Sequence, residues 1–184
     1  MPPVDPRKPL HDAHALAIGR LVVAWNGYQE NLGELYATLF SRRDWALAMA
    51  SWHALENDRA QRAMLLATAT AKLKPDSRAL KEIQWLVKTT NAVISDNRNT
   101  GIHMPLMSLT ELDGTHHILP DTIHGHARAR KMLGKDLLKE YAHYADQIRK
   151  MNWHATIVKS NLTPKGIRHN RVKWSERPVL KVTP

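Results

Sequence analysis

Residues 78–103 read RALKEIQWLVKTTNAVISDNRNTGIH. Leu80, Ile83, Leu86, Val87, Thr90, Val93 and Ile94 recur with the helical period and share one face. Asp76-Ser77, just after Pro75, supplies the start signal, and Pro105 the stop. The apolar stripe then gives way to Asn97-Arg98-Asn99-Thr100-Gly101-Ile102-His103. An amphipathic helix that ends in arginine, amide and histidine decides both the fold class and the chemistry to be sought.

Upstream, Asn57 and Asp58 are cap residues for an Ala-rich helix from about Arg59 to Leu73. Before it, Trp45, Met49, Trp52 and Leu55 mark another helix, with Ser41 and Asp44 at its start. Between His11 and Phe40 apolar residues repeat for about eight turns, from Leu16 through Trp25, Tyr28 and Leu32 to Leu39. Gly19, Gly27 and Gly33 interrupt that helix at about 1 kcal/mol each relative to Ala, which marks them as candidate close contacts. Downstream, Leu106 to Leu112 and Ile118-Leu119 flank Asp113-Gly114, a hairpin signal. A long last helix is expected from about Ala127 to Lys159.

The expected fold is therefore all-α, a four- to five-helix bundle with a small β-hairpin insertion before the last helix. Residues 1–10, with four prolines, read as an extended lead-in, 11–162 as the bundle, and 163–184 as a basic tail. The two long amphipathic helices leave surface for a partner, so a homodimer is expected.

Composition narrows the function. Without cysteine, disulfide scaffolds, thiolate zinc sites and cysteine nucleophiles are excluded. No apolar run reaches the roughly 20 residues of a membrane span, and MPPVDPRKPL lacks the apolar core of a signal peptide. A cytoplasmic protein with no membrane role is expected. The net charge of +10 favours polyanions, RNA among them. Half of it lies in residues 163–184, where Lys165, Arg168, Arg171, Lys173, Arg177 and Lys181 face one acid, Glu176. That segment is either an arm that neutralises phosphates or a tail, solvated or packed through Trp174, Val179 and Leu180.

Nucleophile-elbow, phosphate-loop, dinucleotide-glycine and His-Glu-x-x-His motifs are all missing. His116, His117, His124, His126 and His143 offer imidazoles for a metal. However, adjacent His116 and His117 point to opposite sides of a strand, and polar loop histidines are the plainer reading.

The pair Arg98 and His103, with Asn99 after the arginine, has the Arg-x(4–6)-His form with a following polar residue. It stands at the end of a penultimate helix. In both respects the chain resembles the HEPN superfamily. Arg7/His14 and Arg149/His154 also fit the spacing, but the first lies in the lead-in and the second is followed by Lys150. Gly101 departs from the family pattern, and Leu106 stands where some members carry a tyrosine.

The resemblance implies a metal-independent, cofactor-free endoribonuclease, as in toxins and defence effectors, with an antitoxin or other protein as a further partner. It implies His103 as acid or base and Arg98 as the phosphate clamp. Asn99 orients the imidazole or contacts phosphate, and the basic tail attracts RNA. Asp96 either steadies Arg98 or is a surface acid paired with a lysine. Arg98 and His103 lie about 140° apart on an ideal helix. Either a helix ending at Gly101 or a two-fold dimer is needed to bring such groups together. The alternatives are a non-catalytic bundle of the same kind, binding RNA, nucleotide or protein, and a metal or small-ligand sensor built on the histidine-rich segment. The plainest role for Arg98 and His103 is to cap a negative helix end.

Overall fold

In the computed structural model, which describes residues 5–163 and 172–180, the chain is mostly helical. Helices α1 (Lys8–Ala37), α2 (Trp45–His53), α3 (Asp58–Lys72), α4 (Arg78–Thr89) and α5 (Ser95–His103) come first. Strands β1 (Leu106–Thr110) and β2 (His116–Pro120) pair antiparallel, with Leu106 opposite Pro120 and Thr110 opposite His116. Helices α6 (Ala127–Met132) and α7 (Leu137–Leu162) follow. Among the described residues no helix is long and apolar enough to cross a membrane.

The caps follow from short polar side chains. Asn57 Oδ1 accepts from the backbone N–H of Arg59 at 2.8 Å, and Ser77 Oγ from that of Leu80 at 3.3 Å. Ser41 instead donates to the Asp44 carboxylate at 2.7 Å across a short 3-10 turn, so α2 starts at Trp45. Thr90–Ile94 is π-helical and joins α4 to α5. There the Thr90 hydroxyl donates to Leu86 O at 2.7 Å and accepts from the Tyr28 phenol, also at 2.7 Å. Such back-bonding competes with the helical ladder at the point where it widens.

The helix expected to run on to His103 is thus two helices, α4 and α5, and the first and last helices also differ from the sequence expectation. The first helix begins at Lys8, inside the expected lead-in. Pro9 falls in its first turn, where a missing N–H leaves nothing unpaired. The last helix is two helices. Gly134 adopts φ +75°, a left-handed conformation that ends α6. Asp136 then accepts from the Lys139 N–H at 3.1 Å and opens α7. Periodicity alone does not register a break whose flanks are both helical. At the hairpin, Gly114 has φ +87° and Asp113 accepts from Thr115 N at 2.8 Å, as Asp-Gly chemistry requires.

The chain divides into two compact units. The first holds residues up to Trp25 together with 95–146, and its core includes Leu21, Trp25, Met132, Tyr141 and Ala145. The second holds 26–94 and the chain from Gln147 onward, around Tyr28, Leu32, Trp52, Leu65, Ile83, Leu86 and Ile148. In the second unit Gly33 admits the Trp52 indole, whose Nε1 lies 2.7 Å from where a Cβ would stand. Gly19 and Gly27 face open space instead. Gly33→Ala is therefore expected to lower stability by about 1–3 kcal/mol through overpacking. Gly27→Ala is expected to raise it by up to about 1 kcal/mol through helix propensity. Urea unfolding followed by circular dichroism distinguishes the two signs.

Candidate active site on helix α5

Helix α5 carries three of the residues singled out in the sequence. Arg98 is half-buried, and its guanidinium lies 5.3 Å from the centre of the Trp25 ring. Its Nη1 donates to Asn99 Oδ1 at 2.8 Å. Its Nε is buried and has no hydrogen-bond partner among the described residues. Stacking on an indole holds a guanidinium without using its N–H donors.

Asn99 thus orients the arginine rather than the imidazole. Asp96 pairs with Lys131 Nζ at 3.3 Å, so it is the surface acid of the plainer reading rather than a support for Arg98. His103 is exposed. The helix does not end at Gly101 but runs through His103. Arg98 and His103 therefore stay about 140° apart around its axis. The reason is packing: a Cβ at residue 101 would stand 2.4 Å from Leu21 Cδ2 and 3.5 Å from Tyr141 Cδ1. Glycine is there for a close helix contact, not to distort the last turn.

The histidine-rich segment does not converge. His116 Nδ1 meets Thr110 Oγ1 at 2.9 Å, and His117 Nε2 lies 2.9 Å from Glu111 Oε1. Among the described residues no three histidine or carboxylate side chains are grouped to hold a metal ion.

Of the tail residues expected to bind substrate, Lys165, Arg168 and Arg171 lie outside the described residues. Lys173 is described and exposed. Residues 172–180 belong to the second unit, and two of them meet α4. Trp174 lies 5.1 Å from the Arg78 guanidinium, and Arg177 Nε donates to Glu82 Oε2 at 2.9 Å. Val179, expected to pack, is exposed.

Sequence reading missed this anchor. Glu82 and His154 are both buried, with His154 Nε2 at 3.0 Å from Glu82 Oε2. Facing a carboxylate, Nε2 is the donor, which leaves Nδ1 toward Ser175 Oγ at 3.4 Å. Burial alone would raise the Glu82 carboxyl, but hydrogen bonds from Arg177 and His154 outweigh it and hold the group below its ordinary value. The visible signal was an acid in the stripe that carries Leu80, Ile83 and Leu86. Trp25 was legible as core, but not as the platform for Arg98.

No family model matches the chain, and no curated protein or solved structure does either.

In the first unit His14 is buried against Tyr141, with ring centres 6.2 Å apart, and its Nδ1 has no partner among the described residues. Burial lowers its pKa from 6.5, His11 adds to the lowering, and Asp136 partly opposes it. Burial also pushes the Tyr141 phenol up to about 12. Because the folded-state pKa of His14 is depressed, the unfolded chain binds the proton first. Stability is full above the unfolded value of 6.5 and is lost as pH falls from there toward the folded value. Urea midpoints measured across that window should fall with pH, and His14→Phe should flatten the slope.

Proposed function

We propose that the chain is a metal-independent endoribonuclease of the HEPN type, acting on RNA through the ribose 2′-OH. The observation that carries the proposal is Arg98, a half-buried guanidinium beside the Trp25 ring and bonded to Asn99, five residues before an exposed histidine. The 2′-oxygen attacks phosphorus, the bond to the 5′-oxygen breaks, and a 2′,3′-cyclic phosphate and a 5′-OH result. The attacking hydroxyl must lose a proton near neutral pH, and the leaving oxygen must gain one. Imidazole suits both tasks. Charge gathering on the phosphate is met by a forked guanidinium.

Helix α5 holds Arg98 and His103 on different faces, so this reading requires two copies of the chain about a two-fold axis. One histidine then serves as base and the other as acid. The site takes no cofactor. A place among toxins or defence effectors, restrained by an antitoxin, belongs to the same proposal. The same separation of the two residues favours a second reading, a non-catalytic HEPN-like bundle that binds RNA, nucleotide or a protein partner.

Cleavage of RNA by the full chain in EDTA decides between them. The first reading expects cyclic-phosphate ends, and a rate about 10²–10⁴-fold lower in His103→Ala. Arg98→Ala should lose about 10²–10³-fold, with circular dichroism unchanged in both variants. Equal rates in wild type and His103→Ala would overturn it. Salt-sensitive RNA binding without cleavage would establish the second reading.

A further inference from the structure

Helix α7 carries a second cluster, within the second unit, that the proposed reaction does not use. Trp153 is 66% exposed. Arg149 and Lys150 precede it by four and three residues, which puts all three on neighbouring positions of one helix surface. Together with His154 they line a cavity of about 320 Å³ whose far wall is Ser175, Glu176 and Pro178. That wall is fixed, because the adjoining Arg177 is tied to buried Glu82. The His154 ring is also fixed, since it is 1% exposed and bonded to the same carboxylate.

We infer that this cavity is a stacking site for one nucleotide of single-stranded RNA, an inference that rests on RNA being the substrate. An exposed indole offers a face on which any base stacks. The two cations one turn away attract the flanking phosphates. The cavity is at the small end of ligand sites, which suits one nucleotide. Ser175 and Glu176 also line the cavity, and Glu176 is exposed. A carboxylate repels phosphate but accepts from an exocyclic amine, so the base rather than the phosphate faces that wall. Charge complementarity selects the occupant. The chain carries +10, and two of its cations stand beside its most exposed described tryptophan.

The test is fluorescence anisotropy of the full chain, in EDTA, with a fluorescein-labelled 2′-O-methyl RNA dodecamer, which cannot be cleaved through the 2′-OH. The matching duplex, whose bases are already stacked, is the control. Trp153→Ala should weaken single-strand binding by about 5- to 150-fold and leave duplex binding unchanged. Trp153→Phe should keep most of the affinity. Arg149→Ala with Lys150→Ala should weaken both and flatten the salt dependence. Unchanged single-strand affinity in Trp153→Ala, or equal losses on single strand and duplex, would overturn the site. If the wild type still cleaves RNA in that case, the ribonuclease reading stands without it. Absence of any RNA binding by wild type would overturn both. A shift in sedimentation on Trp153→Ala with RNA affinity intact would make the indole a contact between copies and would also overturn the proposal.

Discussion

Residue 101 has no room for a side chain, because Leu21 Cδ2 stands 2.4 Å from the place a Cβ would take. That contact, with Tyr141 close behind, decides which face of α5 turns inward. Helical geometry then leaves little freedom. Thr100, next to the contact, is buried. Arg98, three residues earlier, lies on the flank of that face and meets Trp25. His103 lies about 200° beyond Gly101, on the far side, and is exposed. One missing methyl thus sets the depth of the arginine and the direction of the histidine together. Gly101, a departure from the HEPN pattern in the sequence, is a packing residue of α5.

Several cations take part in holding the fold. Arg177 serves Glu82, Lys159 pairs with Glu34, and Arg62 Nε donates to Asn91 at 2.9 Å. Lys72 donates to Leu39 O at 3.0 Å, with its ammonium 3.9 Å from the centre of the Phe40 ring. The most consequential of these is at Glu82. A carboxylate inside a helix-lined core is costly unless it is bonded. Here a histidine from α7 and an arginine from the tail share one of its oxygens. The tail residue Arg177, whose charge reads in the sequence as an arm for phosphates, is thereby a tie to Glu82 on α4.

What was legible in the sequence was what repeats. The apolar periods of α1, α3 and α4, the Asn57 and Ser77 caps and the Asp113-Gly114 turn each follow from local rules, and each appears close to its expected place. The break at Gly134 was not legible, because the residues on both sides keep a helical pattern and only a backbone angle marks it. Spacing singled out Arg98, Asn99 and His103 as candidates but could not say what they touch. Asn99 turned to the arginine and Asp96 to Lys131, because side chains in contact are chosen by tertiary position, which spacing does not encode. His154 belonged to an arginine–histidine pair set aside for its neighbour, Lys150. Its partner Glu82 is 72 residues away, beyond any local pattern.

The tryptophans show a habit of this chain. It has six of them and a single phenylalanine, and indole is the strongest of the aromatic platforms for a cation. Trp25 lies under Arg98, Trp85 under Arg177 and Trp174 under Arg78, each with the guanidinium carbon between 5.1 and 5.4 Å from a ring centre. In these three the ring face and the charge answer each other inside the protein. At Trp153 the ring is exposed, and Arg149 and Lys150 border the same cavity. A ring that attracts π-systems and cations that attract phosphates then line one cavity, on one turn of one helix. A flat base on an anionic backbone would engage both at once, and this is the ground on which the nucleotide site is proposed.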